Sequence, residues 1–147
     1  MNAYAHEVTT DEDVKRFCDV VFHPDICKNL IKDHDSVKNN ISVIKNDDYY
    51  CTILVNNEED IGIVAFKIYK DIKKSCADVG VIKEFRGKNA YLAVKDGLIK
   101  FFKKYPEIEL YSFVKKANRA SLFFAMKMGF KIQHKVYGHY FLRYKNV

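Results

Sequence analysis

This 147-residue chain contains no C-x-x-C pair, no long apolar run, no basic-then-apolar leader and no low-complexity stretch. Each absence excludes a class. The four cysteines, Cys18, Cys27, Cys51 and Cys76, are too dispersed for a zinc knuckle or a redox pair and read as free thiols packing like small hydrophobes. The five histidines are scattered too. His134 and His139 have no accompanying ligand cluster, so no metal site is expected. The longest apolar run, residues 61–66, falls far short of the roughly 20 residues of a membrane-spanning helix. With no secretory pattern at the N-terminus, the expectation is a soluble, cytoplasmic protein with no membrane partner. What is present is globular: 48% hydrophobic, 30% charged, eleven Phe and ten Tyr, which excludes a disordered tail and suits a single domain over residues 1–147.

The net charge of +6 hides an asymmetry. Residues 1–60 carry 6 Lys+Arg against 13 Asp+Glu, a balance of −7, and residues 61–147 carry 19 against 6, a balance of +13. A basic half suits a polyanionic ligand and an acidic half a cationic one, as in an enzyme joining an anionic donor to an amine. The plainer reading is solvated surface.

Along the chain, a short first strand leads to Thr10, which has the chemistry of a helix N-cap. Asp11, Glu12 and Asp13 then fill the first turn, where negative charge is favoured. Val14, Phe17, Val20 and Val21 make one apolar face of a helix ending near His23-Pro24. A second helix is expected from Pro24 to about Lys32, followed by the polar patch Asp33-His34-Asp35-Ser36. Carboxylates flanking a histidine orient it for acid–base work, although such loop residues are usually just solvated. From Tyr49 the period changes to alternation, giving strands over residues 49–55, 61–69 and 75–82. A helix from Tyr91 to Lys104 is stopped by Tyr105-Pro106, and a strand covers 108–114. The helix over 119–128 ends at Gly129 as a left-handed cap would end it, and a final hairpin spans 130–144. The order is β-α-α-β-β-β-α-β-α-β-β.

Within that order, Val79 to Ala90 reads as a buried strand followed by a tight basic loop that opens a helix with no acidic residue in its first turn. The first N–H groups of such a helix have no internal partners, and Arg86 and Lys88 add full positive charge beside them. This is an arrangement for holding the pyrophosphate of a nucleotide-like ligand.

Two stretches, Glu84-Phe85-Arg86-Gly87-Lys88-Asn89-Ala90-Tyr91 and Asn118 to Phe130 with Asn118, Ser121, Gly129 and Phe130 in place, resemble the two motifs of the GNAT superfamily of acetyl-CoA-dependent N-acyltransferases. The resemblance covers essentially the whole chain. It implies an α/β (α+β) GNAT fold, with a mixed, mostly antiparallel central sheet flanked by helices, and acetyl-CoA as co-substrate. It also implies pyrophosphate contacts from Arg86, Gly87, Lys88, Asn89 and Ala90, pantetheine contacts from Val79 and Val81, and support from Asn118 and Ser121. The acceptor it implies is an amine on a small molecule or a protein; exposed strands at the C-terminal end allow a homodimer as well as a monomer.

The chain departs from the family pattern at three positions. Asn89 and Tyr91 replace small residues in the loop motif. Asn89 tolerates a left-handed backbone, whereas Tyr91 crowds the phosphate or swings outward. Ala125 stands where many members carry a tyrosine that protonates the departing thiolate. Candidates for a general base are Asp78, on the strand face opposite Val79 and Val81, the group Asp33, His34 and Asp35, and Tyr137 with His139. Two alternatives accompany the enzyme reading. One is a catalytically silent GNAT-fold binding or structural protein, of the short kind found in tailed phages, whose Lys/Asn/Ile-rich composition this chain resembles. The other is RNA or tRNA binding through Lys100, Lys103, Lys104, Lys115, Lys116 and Arg119.

Overall fold

The computed structural model describes residues 2–26 and 47–144. Ten elements follow one another: β1 (Ala3–Glu7), α1 (Asp11–Val21), β2 (Tyr49–Asn56), β3 (Glu59–Tyr69), β4 (Lys74–Val81), α2 (Lys88–Lys104), β5 (Glu109–Lys115), α3 (Arg119–Met128), β6 (Phe130–Val136) and β7 (His139–Tyr144). They build a seven-stranded sheet in the order β1-β2-β3-β4-β5-β7-β6, antiparallel throughout except for β4 against β5. The predicted order holds for these elements. Residues 24–26 are helical, and the rest of the expected second helix lies outside the described residues, as do Asp33, His34 and Asp35.

The two sheet faces bury separate cores. Helix α2 lays Ala90, Ala93, Val94, Gly97, Leu98 and Phe101 against one face, a stripe at helical spacing. Phe101 stacks on Phe66 of β3 with ring centroids 4.3 Å apart. The small residues set the approach, since a Cβ at Gly97 would stand 3.4 Å from the Ala5 Cβ. On the opposite face Phe17, Val20 and Val21 of α1 pack with Cys51, Ile53 and Ile63. Burial raises the thiol of Cys51 to about 12, so it stays protonated within this core.

Strand β1 is a sheet edge, and α2 covers its exposed backbone. Asp96 Oδ2 accepts the Ala5 N–H at 2.8 Å, and Lys100 Nζ donates to the Ala5 carbonyl at 2.6 Å. Lys104 pairs with Glu7 at 3.1 Å. These contacts occupy groups that would otherwise invite another strand.

The turn from β1 into α1 is held by one buried carboxylate. Thr10 is the N-cap as expected and forms a reciprocal capping box with Asp13. Asp13 Oδ2 accepts the N–H groups of Thr9 and Thr10 at 3.1 and 3.2 Å, and its Oδ1 lies 2.8 Å from His6 Nε2. Desolvation pushes this carboxyl upward, but the bonds from Thr9, His6 and Thr10 outweigh it and hold it well below the usual carboxylate range. Asp13→Asn is therefore expected to lower the unfolding free energy at pH 7 by about 1–2 kcal/mol. Because the folded carboxyl titrates below the unfolded one, wild type loses this contribution as pH falls below the ordinary value of 3.8. Urea denaturation across that range should show the gap between the two proteins closing.

Candidate functional site

The one parallel pair among the described strands supplies the site. Strands β4 and β5 are in register for three residue pairs, Lys74 with Glu109, Ser75 with Leu110 and Cys76 with Tyr111. Beyond them β4 runs on to Val81 and β5 to Lys115 without pairing, and a cleft of about 880 Å³ opens between them. That volume is within the range of small-molecule sites.

The backbone of β4 turns toward this cleft at every second residue. Ala77 O accepts from Ser112 Oγ at 3.2 Å, and Val81 O accepts from Arg86 Nε at 3.3 Å, both on the β5 side. By the two-residue period Val79 presents its N–H and C=O in the same direction, where no strand takes them up. At the head of the cleft Gly87 caps α2 with φ of 144° and offers no side-chain acceptor. The Gly87 carbonyl accepts from Tyr91 N–H, whereas the N–H groups of Lys88, Asn89 and Ala90 bond to nothing among the described residues. The far wall comes from β5 and the start of α3, where Asn118 Oδ1 accepts the Ser121 N–H at 3.1 Å as N-cap. Residues Asp78, Val79, Val81, Arg86, Gly87, Ala90, Asn118 and Ser121 all line the cleft. Lys88 and Asn89 are exposed and form no part of its wall.

Several expectations need correction. Helix α2 begins at Lys88, three residues earlier than the apolar spacing suggested, so Asn89 and Ala90 belong to its first turn. Asn89 does not adopt a left-handed backbone; Gly87 carries the positive φ instead. Tyr91 turns away from the cleft head. Its ring meets Phe124 edge-on at 6.4 Å, and Lys127 Nζ lies 4.8 Å from its centre, which ties α2 to α3. The proposed basic stripe is broken, because Lys100 and Lys104 are bound to β1.

Asp78 does lie on the face opposite Val79, as alternation requires, yet both line the cleft because the gap opens to both faces of the sheet. Its side chain reaches solvent but is enclosed by the cleft walls, and this desolvation pushes its carboxyl upward. No hydrogen bond or ion pair engages it among the described residues. His139 also lines the cleft, and so does Ala125, at the position where the family pattern has a tyrosine. Tyr137 is 95% exposed at the β6–β7 turn and takes no part in the wall.

Sequence reasoning missed Phe113, Ser112 and Asp25. Asp25 Oδ2 accepts the Lys83 N–H at 2.9 Å, fastening the chain after α1 to the end of β4. Phe113 is 55% exposed in the cleft wall. Its signal was available, since Tyr111 and Phe113 alternate with the buried Leu110 and Val114 and so fall on the strand's other face.

A mostly antiparallel sheet that splits between its two parallel strands, with a helix starting at the head of the split, defines the GNAT class of folds. The chain belongs to that family: residues 1–131 match the family described as acetyltransferase (GNAT) domain. No curated protein sequence matches it. Among solved structures it is similar to AAC(6')-Ib in complex with paromomycin and acetyl-CoA, at 15% identity and a TM-score of 0.77, covering 98% of this chain and 93% of that one. A spermidine N-acetyltransferase mutant from Vibrio cholerae gives 12% identity and 0.73 over 97% and 92% of the two chains. The PaiA N-acetyltransferase from Thermoplasma acidophilum, in complex with coenzyme A, gives 16% identity and 0.71 over 99% and 100%.

Gly87 sets the backbone at the head of the cleft. A side chain there would meet open space, so its requirement is conformational: φ of 144° is strained for any residue with a Cβ. Gly87→Ala should destabilise the protein by about 1 kcal/mol or more. Gly138→Ala, at a turn glycine with open space and no positive φ, should leave the melting temperature unchanged.

Proposed function

We propose that this chain transfers an acetyl group from acetyl-CoA to an amine. The observation that carries the reading is the edge of β4, unpaired among the described residues, running along an open cleft to a helix N-terminus with three N–H groups that bond to none of those residues. The residues fit such a donor. Phosphates would be held at the head of the cleft by the N–H groups of Lys88, Asn89 and Ala90, the Gly87 backbone and the Arg86 guanidinium. The pantetheine arm, which carries amides of its own, pairs with the backbone of Val79 and Val81 as an added strand would. Asn118 and Ser121 stand along the opposite wall.

The acyl donor supplies an activated thioester carbonyl, and this chain's residues position it. The backbone N–H of the β4 edge faces the carbonyl oxygen as negative charge develops there. Asp78 accepts the proton that the attacking amine must lose. A bond forms between the amine nitrogen and the carbonyl carbon while the carbon–sulfur bond breaks, and the thiolate takes its proton from water because Ala125 offers no hydroxyl. Much of the rate then depends on holding amine and thioester together. His34 and Asp35 lie outside the described residues and are not needed for this scheme. His139 is the other titratable group on the cleft wall.

The absence of a hydroxyl at Ala125 also supports a second reading, in which the cleft binds acetyl-CoA without turnover. Binding to RNA is less well supported, since Lys100 and Lys104 are engaged by β1.

Titration calorimetry with acetyl-CoA separates these readings. Wild type should bind, and Arg86→Ala should weaken binding about tenfold or more, the cost of losing a charge-assisted phosphate contact. No detectable binding at millimolar ligand would remove the proposal. Asp78→Asn should leave binding intact and lower turnover by about a hundredfold. Since the Asp78 carboxyl is raised, only its deprotonated form can accept the proton, so wild-type turnover should fall with acid at a pH above the ordinary 3.8, and Asp78→Asn should abolish that limb. Binding with no turnover of any amine would favour the silent reading.

A further inference from the structure

The surface beyond Asp78 suggests what kind of amine enters. Strand register aligns the residues of one sheet face into rows. The row Lys67, Cys76, Tyr111, Arg143 and Lys131 crosses the sheet at the last paired position of β4 and β5. Two residues further along, Ala65 pairs with Asp78 on one side of the split, and Phe113 pairs with Phe141, which pairs with His134, on the other. Asp78 and Phe113 therefore face each other across the cleft on the same side of the sheet.

Phe113 starts an aromatic platform that continues away from the cleft. Its ring lies 4.8 Å from that of Phe141, which stacks on Tyr111 at 4.8 Å and 2° and on His134 at 6.2 Å and 12°. Phe113 is 55% exposed, so its face is open to a ligand. The charges around the platform are mainly positive. Lys67, Lys74, Arg143 and Lys131 share this face. Of the other described carboxylates, Glu109 is already bound by Lys74, Tyr111 and Arg143 at 2.8 to 3.1 Å, and Asp25, beyond the end of β4, accepts the Lys83 N–H at 2.9 Å. A polyamine laid along this surface would place its further cations against lysines and arginine, whereas a single ammonium at Asp78 with an aromatic body on Phe113 meets complementary groups on both sides of the split.

The geometry points to an acceptor that is an aromatic monoamine, its nitrogen at Asp78 and its ring stacked on Phe113 and Phe141. This rests on the acetyl-transfer reading above, because the donor's thioester must reach the split from the helix side for the amine to meet it from this face.

The test measures thiol release from saturating acetyl-CoA with 2-phenylethylamine, spermidine and kanamycin as separate acceptors. The expected result is a kcat/KM for 2-phenylethylamine at least about tenfold above the two polycations. Phe113→Ala should raise the KM for 2-phenylethylamine about tenfold with kcat little changed, and Phe113→Tyr should restore it. Melting temperatures of both variants check that the half-exposed position leaves the fold intact. Preference for spermidine or kanamycin, or a KM for 2-phenylethylamine unmoved by Phe113→Ala, overturns the inference. If acetyl-CoA stabilises the protein thermally but 2-phenylethylamine is not acetylated, this acceptor assignment fails and the donor site stands. If acetyl-CoA does not stabilise it, the transfer reading fails first and takes the acceptor with it.

Discussion

The parting of β4 from β5 is the constraint on which the site depends. A strand in the middle of a sheet normally has both rows of backbone groups satisfied, and leaving such groups unmatched away from water costs free energy comparable to the lost bonds. Here the pairing stops after Cys76 and Tyr111, and the backbone of Val79 is left facing a cleft. Such an arrangement persists because solvent or a ligand reaches the gap. The contrast with β1 is informative. That strand is a true sheet edge, yet Asp96 and Lys100 of α2 take up the outward groups of Ala5. Helix α2 thus closes an edge at the sheet's margin with its later turns and, with its first turn at the open edge of β4, presents N–H groups that are unpaired among the described residues.

Charge is distributed by the same logic. Among the described residues, the acidic N-terminal part and the basic remainder do not confront each other across the cleft as two opposed fields. Much of the acid is spent on local structure or cross-links: Asp13 holds the start of α1, Asp60 takes a two-bond contact from Arg16 at 3.0 and 2.7 Å, and Glu7 pairs with Lys104. Around the cleft stand the cations Lys83, Arg86 and Lys115, the carboxylate of Asp25, which accepts the Lys83 N–H, and Asp78, which has no partner among the described residues. A carboxylate enclosed by protein walls without a cation is unfavourable for folding alone, since desolvation is uncompensated. Its placement makes sense where a cationic or proton-bearing group arrives from outside.

The sequence was most legible where local chemistry decides the outcome. Thr10 caps α1 and Gly129 ends α3 with φ of 122°, because each acts on its own neighbouring backbone. The strand-loop-helix from Val79 was visible through its change of period, but the helix start was misplaced, since its cap is a glycine with no side-chain bond and Lys88-Asn89 carries no apolar residue to mark the first turn. Tyr91 was opaque for a different reason. Whether it crowds the cleft is settled by Phe124 and Lys127, more than thirty residues away on another helix.

Asp78 shows the limit most clearly. Alternation assigned it correctly to the face opposite Val79, and on an intact sheet that would have separated it from a ligand lying along the Val79 side. The separation fails only because β4 and β5 diverge, a property of long-range pairing that no window of residues around Asp78 contains. Phe113 is legible only in part: alternation places it on the face opposite Leu110 and Val114, but its register with Phe141 and its place beside the split are what make that face an open surface. The strand motif therefore marks the edge along which the proposed donor would lie, whereas the proposed acceptor side rests on residues that come together only after the sheet has formed and opened.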